Sequence, residues 1–111
     1  MALRHANRPY RVHWASFDGI VVDFERAEVT RDGGSINLMA GELRILKFLL
    51  QNETRVITRS ELLSEVFGYK GEVASRSVDN RIMALRKKLE RNRKCPIHFL
   101  TVHRVGYKFV R

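Results

Sequence analysis

Between Ser75 and Lys94, the apolar residues Val78, Ile82, Leu85 and Leu89 recur at i, i+4, i+7 and i+11. That is the spacing of one buried stripe on an α-helix. At about 100° per residue, Asn80, Met83, Ala84, Lys87 and Arg91 point the other way, with Arg76, Arg81, Arg86 and Lys88 on the flanks. The pattern predicts a helix beginning at Ser75 or Ser77, fixed to a core on one side and ringed by cations on the other. Two more helical patterns precede it. From Ala40 to Asn52, Leu43, Leu46, Leu49 and Leu50 form an apolar face, with Ile45 and Phe48 beside it. Its start has Met39 where Ser or Thr would complete a capping box with Glu42, an omission costing about 1 kcal/mol. From about Arg59 to Phe67 the inner face is Leu62, Leu63, Val66 and Phe67. There Thr58 is a suitable N-cap, Glu61 follows three residues later, and Gly68 supplies the stop.

The flanking segments have period two. Ile20, Val22 and Phe24 alternate with Val21, Asp23 and Glu25, Glu28-Val29-Thr30 is a weaker strand, and Ser35 to Leu38 alternates again after the Asp32-Gly33-Gly34 turn. These predict a small antiparallel sheet of three or four strands, with Ile20, Val22, Val29, Ile36 and Leu38 among its core residues. Val56-Ile57 is a short apolar link or minimal strand. After Cys95-Pro96, Phe99 to His103 and Tyr107 to Val110 alternate as a hairpin, with Gly106 at the turn and Arg104 and Lys108 near the tip. Residues 1–13, polar and basic with Pro9, read as a linker or lead-in, and residues 14–111 as one domain. Tyr69 to Ala74 read as a loop.

Charge adds a direction to this α+β pattern. Residues 1–74 carry ten Lys/Arg and ten Asp/Glu, which cancel. Residues 75–111 carry eleven Lys/Arg against Asp79 and Glu90 alone, so the whole net charge of +9 resides there. One-sided positive charge is the footprint of a polyanion partner. A membrane surface fits poorly, because the outer face of the basic helix has no Trp, Phe or Leu to insert. A chain of 111 residues with 44% apolar content can build one core. It has no apolar run near the roughly 20 residues that span a bilayer, and its first residues lack the continuous apolar segment of a signal peptide. The lone Cys95 fits a reducing compartment, and the expectation is a cytoplasmic location.

Two short-linked helices, a basic amphipathic helix and a basic-tipped hairpin make a winged helix-turn-helix. From about Phe17 to Phe109 the chain resembles the C-terminal effector domains of OmpR/PhoB-type response regulators. The residues that carry the resemblance are Glu42-Leu43-x-x-Leu46, then Val56-Ile57-x-Arg59-x-x-Leu62-Leu63-x-x-Val66-Phe67-Gly68. They continue as Arg76-Ser77-Val78-Asp79-x-x-Ile82-x-x-Leu85-Arg86-x-Lys88-Leu89 and end as Leu100-Thr101-Val102-x-x-x-Gly106-Tyr107-Lys108-Phe109. The resemblance implies a four-stranded N-terminal antiparallel sheet, three helices and a C-terminal hairpin wing. It implies sequence-specific binding of double-stranded DNA at tandem half-sites by a head-to-tail dimer, with the third helix in the major groove and the wing near the minor groove.

Carried over position by position, the resemblance makes Asp79, Asn80, Met83, Ala84 and Lys87 the base-reading set. Arg76, Arg81, Arg86, Thr101 and Tyr107 become phosphate or groove residues, and His103 and Arg104 the minor-groove tip. The loop with Asn52, Glu53, Thr54 and Arg55 is one that can face RNA polymerase. Three departures stand out. Relatives often carry Arg where this chain has Met83 and Ala84, which shifts readout from guanine towards thymine methyls, with Asn80 available for adenine. His103-Arg104 replaces a frequent Arg-Gly, and Phe67 replaces a frequent Trp.

Other function classes fare worse. An RNA-binding module would need exposed aromatics for stacking, and here they occupy core-like positions. A winged helix used for protein contacts would not need this cation density. An enzyme would need a paired carboxylate motif, a phosphate loop, a Ser/His/Asp set or a metal cluster, and none is legible. Cys95 and His98 alone are half of a metal site, and no cofactor is expected. The family's members are normally switched by a receiver domain and its cognate histidine kinase. The expectation is therefore either a piece of such a longer protein, which the linker-like start favours, or a free-standing regulator.

Overall fold

The computed structural model describes residues 13–68 and 75–111. Residues 1–12 of the expected linker, the expected 69–74 loop and the Phe67 side chain lie outside that description. The first four strands are β1 (Trp14–Phe17), β2 (Ile20–Asp23), β3 (Glu28–Arg31) and β4 (Gly34–Ile36), paired antiparallel in chain order. Two of their turns are two-residue loops whose residues have positive φ: Asp18-Gly19 between β1 and β2 (50° and 77°), and Asp32-Gly33 between β3 and β4 (50° and 87°). Asp-Gly suits both, because each position needs the left-handed region. One face of this sheet is core: Ala15, Phe17, Ile20, Val22 and Val29 are buried, while Ile36 and Leu38 are partly so.

Helix α1 (Ala40–Gln51) buries Ile45, Leu46, Leu49 and Leu50. Met39 makes no side-chain cap bond, yet the start is secured from the other side, where the Met39 amide donates to Glu42 Oε1 at 2.9 Å. Lys88 Nζ donates to the same oxygen at 2.7 Å. Strand β5 (Ile57–Thr58) leads into α2, which is α-helical over Arg59–Leu62 and a π-helical turn over Leu63–Phe67. The Thr58 hydroxyl accepts the Glu61 amide at 3.0 Å, and Gly68 closes the helix at φ 72°. The amphipathic spacing gave no sign of the π turn.

Helix α3 (Ser75–Leu89) keeps Val78, Ile82, Leu85 and Leu89 wholly buried. The chain ends in β6 (Phe99–Val102) and β7 (Gly106–Phe109), and β5 pairs with the far side of β7. The hairpin turn is not centred on Gly106, as its composition suggested. It lies over His103-Arg104-Val105, closed by Val105 N–H donating to Val102 O at 2.9 Å, with Arg104 at φ 64°. Gly106 is instead a buried strand residue whose bare Cα lets β5 approach, since a Cβ there would fall on the Ile57 carbonyl. The two sheets meet through aromatic edges, with Phe17 on Phe109 at 5.1 Å and on Phe99 at 6.5 Å between ring centroids.

Candidate nucleic-acid interface

With its apolar stripe buried, α3 presents a strip in which Arg76, Asn80, Met83 and Lys87 are exposed and Ala84 is half-buried. Met83 keeps 65% of its surface in solvent. Both carboxylates of the cationic last third are turned inward. Arg81 is half-buried and packs over Gly41 at the start of α1, where a Cβ would collide with its guanidinium.

Asp79 accepts from Arg59 Nε at 2.7 Å and from the Tyr107 hydroxyl at 2.5 Å, both on Oδ1. Burial works against its charge, but the Tyr107 and Arg59 bonds outweigh that and hold its carboxyl below the usual carboxylate range. Burial and the bond to Asp79 raise the Tyr107 phenol, so it stays a donor, and Asp79 raises Arg59 further. The Tyr107 ring carries two guanidinium groups, Arg59 at 5.5 Å and Arg86 at 5.8 Å from its centroid. Arg86 also donates to the Phe99 carbonyl at 2.9 Å and to Thr101 Oγ1 at 2.7 Å. The first turn of α2, the middle of α3 and the base of the wing are thus one bonded unit, and Arg86, Thr101 and Tyr107 belong to it together. Arg59 was named by the sequence only as a motif position. Its partner Asp79 lies 20 residues away, a separation without periodicity.

The C-terminal end of α3 is fixed by a second cluster. Glu90 is 5% exposed and accepts three backbone amides: Ile97 on Oε1 at 3.0 Å, and His98 and Phe99 on Oε2 at 2.8 Å each. Arg31 donates to the Leu89 carbonyl at 2.5 Å, covering an orphan group of the last turn. Asp18, in the first sheet turn, accepts from Arg91 Nε at 2.8 Å. That bond, with His98 beside it, holds the Asp18 carboxyl below its ordinary value. Arg91 therefore leaves the outer face that a continued helix would give it, and Lys88 likewise turns to Glu42.

His98 is buried, with Nδ1 2.8 Å from the Val110 carbonyl and Nε2 3.3 Å from Asp18 Oδ2, whereas Cys95 is exposed. Among the described residues, no group of three His, Cys, Asp or Glu gathers as a metal site, and no helix is long and apolar enough to cross a membrane.

At the wing tip His103 and Arg104 are both exposed. In the 52–55 loop, Asn52 caps α1 through a bond to the Phe48 carbonyl at 2.8 Å, and Glu53 pairs with Arg111 at 3.0 Å. Thr54 has φ 70° and donates to the Phe109 carbonyl, while Arg55 pairs with Glu61 at 2.8 Å. This loop is held against the wing and α2, and Thr54 and Arg55 are its exposed members.

The family model described as the C-terminal part of transcriptional regulatory proteins matches residues 33–109. The chain belongs to this family. As an OmpR/PhoB-type effector domain it is 39% identical over 88 residues to the transcriptional regulatory protein TrcR of Mycobacterium tuberculosis, covering 79% of this chain and 34% of that protein. It is 36% identical over 89 residues to the sensory transduction protein RegX3 of the same species, covering 78% and 38%. The chain thus spans about a third of the length of the curated relatives it matches.

Among solved structures, the RstA DNA-binding domain of Klebsiella pneumoniae, in complex with the RstA box, superposes with a TM-score of 0.79 at 29% identity. That match covers 89% of this chain and 98% of that one. The response regulator DrrB of Thermotoga maritima, an OmpR/PhoB homologue, gives 0.83 at 28% identity, covering 98% and 49%. The α+β winged helix-turn-helix architecture expected from the resemblance is the one observed in this effector domain.

Proposed function

We propose that this domain binds double-stranded DNA in a sequence-selective way as the output of a two-component regulator of transcription. The observation that carries the reading is the exposed strip of α3. Asn80, Met83, Ala84 and Lys87 face outward, cations surround them, and Asp79 and Glu90 are both turned into internal bonds. Such a helix fits the major groove, where phosphates are held from the flanks and base edges are read from the strip. In this reading Arg76 and Arg81 hold phosphates beside it. Arg86 and Thr101 meet the backbone at the wing base, where the buried Tyr107 positions Arg86 through its ring, and His103 and Arg104 reach the minor groove. Asp79 acts within the reading set by orienting Arg59 and Tyr107. That the RstA relative was solved in complex with its DNA box supports the DNA-binding reading.

The same reading includes tandem half-sites bound by a head-to-tail dimer, and contact of the Asn52 to Arg55 loop with RNA polymerase. A cytoplasmic location, and a receiver domain addressed by a histidine kinase in the full-length protein, complete it. Selection of bound duplexes from a random library at near-physiological salt tests the central claim. Two similar half-sites in the same orientation, about one helical turn apart, are the expected result. Salt-sensitive binding without any shared sequence would refute selective readout.

A further inference from the structure

Resting on the reading that α3 enters the major groove, we propose a receptor for the C5-methyl group of a thymine. It is the hollow beside Met83 and Ala84, and Arg93 completes it by holding a neighbouring phosphate. The decisive observation is the position of Arg93. It lies past the end of α3, in the cation-rich run Arg91 to Lys94. In the structure a turn brings it back, with Cys95 N–H donating to Asn92 O and Lys94 N–H to Asn92 Oδ1, both at 3.0 Å. Arg93 thereby lines one open depression together with Met83, Ala84, Arg86 and Lys87. Arg91, two residues earlier, is tied instead to Asp18. The loop divides its cations between an internal fastening and the reading strip.

The apolar part of the hollow's lining points to an apolar occupant. Its apolar part is the exposed Met83 side chain and the Ala84 methyl, and no carboxylate or amide side chain lines it to accept from cytosine N4 or pair with adenine. The thymine methyl is the apolar group that a base edge offers in the major groove. Arg86 is already committed to Phe99 and Thr101. Arg93 is therefore the guanidinium of this lining that is assigned to a phosphate, while Lys87 stays in the reading strip.

The test uses the 111-residue chain and a duplex recovered by selection, each thymine replaced in turn by deoxyuridine, with binding followed by fluorescence anisotropy. At least one thymine per half-site should lose about fourfold in affinity on losing its methyl, and Met83→Ala should bring the two duplexes to near parity. Arg93→Ala should leave the thymine preference in place but reduce the slope of log K against log salt by about 0.9. Arg26→Ala, which removes the same charge from the turn after β2, should leave the slope unchanged. The proposal is overturned if no thymine is distinguished from uracil, or if Arg93→Ala behaves as Arg26→Ala does. An unsubstituted protein that selects no sequence at all would instead remove the DNA-reading function beneath it.

Discussion

Glu90→Ala tests how the wing is tied to α3. The carboxylate is 5% exposed and is the acceptor for three consecutive backbone amides, Ile97, His98 and Phe99, at 2.8–3.0 Å. Each bond to a charged acceptor contributes about 1.5–3 kcal/mol, and each buried donor left unmatched costs about 1–3 kcal/mol. Water entering the vacated volume and the released desolvation cost of the carboxylate both reduce the sum. A net loss of about 3–5 kcal/mol follows, a large share of the roughly 5–15 kcal/mol that holds a domain together. Glu90→Gln retains one carbonyl oxygen, enough for the His98 and Phe99 amides, but sets an NH2 group against the Ile97 amide. Its expected loss is smaller, about 1–3 kcal/mol. Urea unfolding followed by far-ultraviolet circular dichroism gives both numbers, with the midpoint shifting and the slope preserved. Were Glu90→Ala to unfold within about 0.5 kcal/mol of the parent, as surface substitutions do, the anchoring role would be wrong.

Other outcomes are equally definite. Gly106→Ala places a methyl on the Ile57 carbonyl, so β5 must leave β7; loss of the cooperative thermal transition, or a drop of about 3 kcal/mol or more, is expected from calorimetry. Leu85→Ala opens a cavity under α3 and should cost about 2–5 kcal/mol in chemical denaturation, because the side chain is wholly buried. Asn80→Ala should relax selection at one base position, worth about 1–3 kcal/mol, with unchanged affinity for random duplexes in a competition assay. Asp79 and Asp18 titrate lower when folded than when unfolded, so the unfolded chain takes up protons first as the pH falls. Their stabilisation is complete above the ordinary carboxylate range and fades below about pH 4, as the folded pKa values are crossed. The doubly substituted Asp18→Asn, Asp79→Asn protein should show a flatter acid limb in a pH series of unfolding midpoints.

What could be read from the chain, and what could not, follows the range of the forces involved. The stripe Val78, Ile82, Leu85 and Leu89 is visible because helical geometry repeats locally, and the Thr58 cap because its partner is three residues away. Asp32-Gly33 announced its hairpin, and Asp18-Gly19 carried the same dipeptide signal for the β1–β2 turn, which the pattern reading passed over. Gly106 misled because the need for a small residue came from a strand about 50 positions upstream, whereas the real turn uses Arg104 in the left-handed region. The clusters around Asp79, Glu90 and Asp18 join residues 7 to 80 positions apart, and no periodicity records such pairings. For the interface, the outward strip was legible, while the return of Arg93 to it depended on a turn after the helix.

The strand that completes the wing sheet has a kinetic consequence. Strands β1 to β4 form a meander in which every pairing joins neighbours in sequence, so each can close a small loop and form early. The pairing of Ile57 with Tyr107 encloses α2, α3 and the loop after it, and its closure entropy is repaid only once those helices have docked. The wing base is therefore expected to be the last part of the domain to become native and, in the reverse direction, the first to open.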